Sequence, residues 1–218
     1  MSTQLLNWLT DSGYTTESQP IASTNDIESN SELADFIAPL TNYSVVRVSG
    51  VDAEKFMQGQ FSCDVREIND QSSRMGTANT PKGRAYAVFR IAKQGDDYLI
   101  RLPSAITSDF CERLNKYIVF SKATLTLDDN ICVLGYSGAD SKLNELLGKT
   151  AELPKDADSC LAIDDTLIIS VPSGLAGRYE VWCHIDTAKL LLSASTDKSE
   201  KLHYGTQAMW DWTEINEG

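Results

Sequence analysis

The 218 residues are 42% hydrophobic and 23% charged, a composition of ordinary globular proteins, and the length suits one large domain or two small ones. The formal net charge of −12 opposes long-range attraction to nucleic acid or anionic membrane, and no apolar run approaches the roughly 20 residues of a membrane helix. Five dispersed cysteines without a Cys-x-x-Cys pair fit reduced cytoplasmic thiols, and two histidines leave little with which to build a zinc site.

Residues 1–40 read as an acidic, Ser/Thr-rich arm with one apolar patch, Leu5, Leu6, Trp8 and Leu9, in which Trp8 is expected to dock on the body. The first basic residue is Arg47, so no secretory or transit signal is expected. Charge is uneven. Residues 1–46 hold six acids and no Lys or Arg, residues 47–122 carry a net +3, and residues 123–218 carry a net −9.

Organisation begins at Tyr43. Val45 to Ser49 alternates as a strand, Gly50 breaks it, and Asp52 is placed to cap a helix over Ala53 to Gln60. Met75 to Asn79 and Ala85 to Ile91 flank the turn Thr80-Pro81-Lys82-Gly83-Arg84, the punctuation of a hairpin. Tyr98 to Leu102 is another strand. Asp109 to Ile118 is a helix, with Ile106, Phe110, Leu114, Tyr117 and Ile118 at helical spacing, and Val119 to Leu127 is read as a strand.

The pattern then repeats. Ile131 to Tyr136, Leu161 to Ile163, Leu167 to Val171 and Arg178 to Ile185 read as strands, with helices around Leu143 and over Thr187 to Ser193. Lys201 to Tyr204 is a weak closing strand. The expectation is α+β: two split βαβ, ferredoxin-like units over residues 41–130 and 131–205, preceded by the arm 1–40 and followed by residues 206–218. That last segment starts a helix with Trp210 and Trp212 and is expected to be a piece cut mid-element.

Period-two alternation places Tyr43 and Arg47 on one side of the first strand, and Arg84, Tyr86 and Arg90 on one side of the strand after the turn. Lys122 lies between Phe120 and Thr124 on the last. If these sides coincide, two readings fit: a site for a flat heteroaromatic carboxylate, or a solvated face laced with local salt bridges. Catalytic motifs are poor. Gly135-Tyr136-Ser137-Gly138 lacks the spacing of a nucleophile elbow, Gly174 and Gly177 lack a phosphate-loop ending, and Cys63 has no nearby histidine. No catalytic and no metal-binding residue is assigned.

Ser49-Gly50-Val51-Asp52-Ala53-Glu54-Lys55-Phe56-Met57-Gln58-Gly59-Gln60, Pro81-Lys82-Gly83-Arg84 and Leu114-Asn115-Lys116-Tyr117-Ile118-Val119-Phe120-Ser121-Lys122 resemble YgfZ-type folate-binding proteins, relatives of the glycine-cleavage T-protein (aminomethyltransferase). The segment from Trp210 to Gly218 resembles the later Trp-containing part of that family, so the resemblance covers about residues 40–218. It implies two ferredoxin-like units, with the family's C-terminal barrel and its Lys-Gly-Cys-x-x-Gly-Gln-Glu motif absent from this chain. It also implies a tetrahydrofolate or related ligand, contacted by Trp210 and Tyr43, with Lys82 and Arg84 at the ligand's glutamate end.

The partners implied are iron–sulfur enzymes or their assembly proteins, without direct nucleic-acid or membrane binding, in service of tRNA modification. T-proteins place paired aspartates where this chain has Ala87 and Val88, so aminomethyl transfer lacks its carboxylate. Two alternatives stand beside this reading: a folate-dependent one-carbon transferase, and an interaction module without a ligand.

Overall fold

The computed structural model describes residues 3–14, 35–172, 177–195 and 202–217. Residues 15–34 of the expected arm, Gly174, and Lys201 of the expected closing strand lie outside them. The chain is α+β, with two sheets packed face to face and helices on both outer sides.

The first sheet gathers β2 (Tyr43–Ser49), β3 (Arg74–Asn79), β4 (Ala85–Gln94), β5 (Asp97–Pro103) and β6 (Thr124–Leu127). Their order is β3-β4-β5-β2-β6, and every pairing is antiparallel. Its outer face is apolar because alternate residues such as Val46, Phe89 and Ile100 point there. They meet Phe56 and Met57 of α2 (Ala53–Gln58) and Phe110 and Leu114 of α3 (Ser104–Ile118).

The second sheet runs β11-β1-β7-β10-β9-β8, from β1 (Phe36–Pro39), β7 (Ile131–Ser137), β8 (Cys160–Ile163), β9 (Thr166–Ser170), β10 (Arg178–His184) and β11 (His203–Tyr204). Among the described residues, only β1 and β11 pair in parallel. Its outer face packs on α1 (Thr3–Asp11), α4 (Asp140–Leu146) and α5 (Ile185–Ala194). The last helix, α6 (Gln207–Glu217), sends Trp210 into the core between the sheets, among Phe36, Leu99, Leu167 and Trp182.

Two expectations change. Residues 36–39, read as part of the arm, are a strand between β7 and β11, and both Phe36 and Ile37 are fully buried. Residues 119–123, read as strand, are a turn that leaves Val119 and Phe120 exposed. Asp52 explains the turn. Its side chain makes no helix-cap bond and instead accepts from the Lys122 backbone N–H at 2.8 Å, while its own N–H donates to the Lys122 carbonyl at 3.3 Å. Gly50 allows the approach: it has φ +110°, and a Cβ there would stand 2.4 Å from the Lys122 oxygen.

Candidate functional site

The inner face of the first sheet carries Tyr43 and Val45 on β2, Leu99 and Arg101 on β5, and Val88, Arg90 and Ala92 on β4, as period-two alternation dictates. Met75 on β3 pairs directly with Arg90 and shares that face. The opposing face of β10 contributes Arg178, Glu180 and Trp182.

Where the sheets meet, the charges are consumed by one another. Arg101 grips the wholly buried Glu180 with both prongs, Nη2 to Oε1 and Nε to Oε2 at 3.2 Å. Trp182 Nε1 donates to Glu180 Oε2 at 2.8 Å. Arg90 binds Asp158 through Nη1, donates to Ser73 Oγ at 3.1 Å, and has its Nε 3.6 Å from Glu180. Asp158 sits at φ +65°, and its carbonyl accepts from Ser73 N–H and Oγ–H, which ties the two sheets together.

Burial by itself would raise the Glu180 carboxyl; Arg101 and Arg90 outweigh it and hold the group below the ordinary carboxylate range. Glu214 on α6 goes the other way. Partial burial is the largest cause and Glu180 and Asp211 add to it, against the lowering pull of Arg178 at 3.8 Å and of Arg101.

The basic side chains do not gather into one open face; of the two readings, Arg47 and Arg90 follow that of local salt bridges. Arg47 is held by Asp128 at 2.8 Å, Asp97 at 3.0 Å and Gln94 at 3.1 Å. Arg90 is buried in the network above, and Lys122 lies in the 119–123 turn. Tyr86 leaves the face altogether. The register slips where Asn79 pairs with Ala85, so Tyr86 is the extra residue of a bulge and packs on the helix side beneath Arg113.

Of the four ligand residues read from sequence, Tyr43 and Trp210 meet at the same inter-sheet core. Tyr43 is half-buried and carries the Arg101 guanidinium over its ring at 4.1 Å. Trp210 is fully buried against Gly135, with Arg178 over its ring at 4.1 Å, so it offers no ring face to a ligand. Its indole N–H is buried without a hydrogen-bond partner among the described residues. Lys82 and Arg84 are exposed on the β3–β4 turn, which Gly83 closes at φ +75°.

These positions share one end of the sheet. Tyr43 pairs with Pro103, the last residue of β5, and Ala85–Phe89 of β4 runs on past the β5 pairing toward the turn. The overhang is roughly 15 Å, and two strand spacings separate β2 from β4 by about 10 Å. Between them the inner face forms a ledge on which Val88 is about half exposed. Glu214, Glu180 and Asp211 all act electrostatically on the Tyr43 hydroxyl, whose burial and acidic neighbours push it up against the lowering pull of Arg101.

Sequence reasoning missed Arg101, Asp158, Glu180 and Glu214. A signal existed for two of them: Arg101 and Glu180 are lone charges inside otherwise apolar strands, Tyr98-Leu-Ile-Arg-Leu and Tyr179-Glu-Val-Trp-Cys. Lone charges so placed demand a partner across the core.

No family model matches the chain. It is 25% identical over 183 residues to the tRNA-modifying protein YgfZ of Colwellia psychrerythraea, covering 84% of this chain and 54% of that protein. To YgfZ of Enterobacter sp. it is 30% identical over 146 residues, 67% of this chain and 42% of that protein. The chain thus spans about half the length of the curated relatives it matches. Among solved structures, glycine cleavage system aminomethyltransferase T from Bartonella henselae superimposes with a TM-score of 0.68 at 13% identity, over 84% of this chain and 50% of that one. The chain is therefore a relative of the tRNA-modifying YgfZ proteins, with a fold like that of the glycine-cleavage T-protein.

Proposed function

We propose that this chain is a folate-binding unit that serves tRNA modification through iron–sulfur enzymes or their assembly proteins, and that it holds tetrahydrofolate without aminomethyl transfer. The ledge carries the reading. It has an aromatic ring at one end, neutral Val88 along it, and two exposed cations at the other.

The residues fit such a ligand in part. Tyr43 would hold its ring system, Lys82 and Arg84 its carboxylates, and Trp210 supports the site from within the core rather than by contact. Bound there, a reduced folate would supply one-carbon carriage. The chain's own residues would orient it: Arg101, locked on Glu180, fixes the Tyr43 ring. We read the two halves as ferredoxin-like units, the first as β4-β5-β2-β6 with β3 added at the edge, the second with β1 in the place of its closing strand.

One observation favours a second reading, a folate-dependent one-carbon transferase: Glu214 is a carboxyl raised above its ordinary range near Tyr43. Calorimetric titration with tetrahydrofolate tests the first reading. Turnover of a methylated amine that disappears in Glu214→Gln would establish the second.

A further inference from the structure

The other side of β4 holds a cavity of about 260 Å³, just below the usual range of small-molecule pockets. It opens between the tip of the β3–β4 hairpin, the chain after α2, and the C-terminal half of α3. Tyr86 reaches it only because of the bulge in β4. Arg113, Lys116 and Tyr117 line it from one face of α3, at i, i+3 and i+4.

The chemistry of this lining is mixed in a particular way. Two tyrosine rings form its walls, with Tyr117 about half exposed. Gln60 and Asn79 bring side-chain amides, each with donors and acceptors able to match the edge of a base. Two cations stand on the helix side. Arg113 donates to Asp109 through Nε at 2.6 Å and lies 4.9 Å from the Tyr86 ring centre, so that bond leaves the Nη edge of its fork for other acceptors. Lys116 makes no ion pair among the described residues.

From this set of groups we infer that the cavity is a nucleotide site, taking a nucleoside monophosphate unit with its base against Tyr86 and Tyr117 and its phosphate toward Arg113 and Lys116. Stacking is the sequence-tolerant part of nucleotide recognition, and charge-assisted bonds to phosphate supply the rest. The site is separate from the ledge, because the sheet itself stands between the inner and outer faces of β4. The unit is either a free nucleotide or one exposed in single-stranded RNA. The overall charge of −12 opposes a broad grip on a polyanion but not a local contact within the residues of net positive charge.

The test is titration of the whole chain, followed by calorimetry and amide chemical shifts, with AMP, GMP, CMP and UMP. Adenosine, inorganic phosphate and a short single-stranded oligoribonucleotide are run alongside. Mononucleotides should bind saturably, with adenosine or phosphate alone roughly tenfold weaker or worse. Lys116→Ala and Tyr117→Ala, both at exposed positions, should each weaken binding about tenfold without moving the thermal midpoint. An oligoribonucleotide that binds tighter than mononucleotides would identify RNA as the source, and one that binds no tighter would identify the free nucleotide. Absence of saturable binding, phosphate binding as well as a nucleotide, or binding unchanged in both variants would overturn the inference.

Discussion

Arg101 on the first sheet closes a two-pronged ion pair with Glu180 on the second, and the same guanidinium lies over the Tyr43 ring at 4.1 Å. One side chain therefore joins the packing of the two sheets to the geometry of the candidate ligand ledge. Removing Glu180 should injure both. Glu180→Ala leaves Arg101 and Arg90 buried with a carboxylate missing, a change that costs about 3–5 kcal/mol. The double change Arg101→Met with Glu180→Leu should be much milder, because it removes the charges together. Denaturant unfolding of the single and double variants measures the difference.

Acid should act through the same residue. Glu180 has a lowered carboxyl, so its contribution is present above the ordinary glutamate value, about 4.3, and is lost as pH falls through the lower folded value. Glu214 has the opposite sign. Its raised carboxyl takes up a proton in the folded state first, so stability gains slightly as pH falls from that raised value toward the ordinary one. As pH falls, the unfolding free energy should therefore rise shallowly and then drop. Glu214→Gln should remove the rise, and Glu180→Gln should blunt the drop at a lower overall stability.

Gly135 and Trp210 test the packing of α6. A Cβ at residue 135 would stand 2.3 Å from the indole Cε3, and Trp210 is fully buried with no room to withdraw. Gly135→Ala should cost about 1–3 kcal/mol by overpacking. Combined with Trp210→Leu, the two costs should fall short of additivity, since the smaller side chain relieves the clash. A double-mutant cycle by thermal or denaturant unfolding reads this directly.

Much of the fold was legible in the sequence, because its evidence is local. The 3.6-residue spacing of Phe110, Leu114 and Ile118 and the Pro-Gly turn at 80–84 need no tertiary information. Three features were not local. The run Phe36-Ile37-Ala38-Pro39-Leu40 looked like the end of an acidic arm, yet it is apolar enough to be claimed by the free edge of β7. Asp52 has the chemistry of a helix cap, and a loop 70 residues away in sequence claimed it instead. A one-residue bulge then moved Tyr86 to the other side of the sheet, which simple alternation cannot foresee.

The site was legible only in outline. Tyr43, Lys82 and Arg84 flank one end of one sheet, while Trp210 lies in the core between Gly135 and Arg178. Alternation leaves open whether the arginines are free or paired, and Glu180, Asp158, Asp97 and Asp128 neutralise Arg47, Arg90 and Arg101. Those pairs form across the sheets or between distant strands, so no window of sequence displays them.

The most direct test of the folate reading is calorimetric titration of the chain with tetrahydrofolate, repeated for Tyr43→Ala and for the double variant Lys82→Ala/Arg84→Ala. Saturable binding is predicted for the unaltered chain, weakened about tenfold by loss of the Tyr43 ring and also weakened by loss of the two cations. No binding, or binding indifferent to both changes, would contradict it.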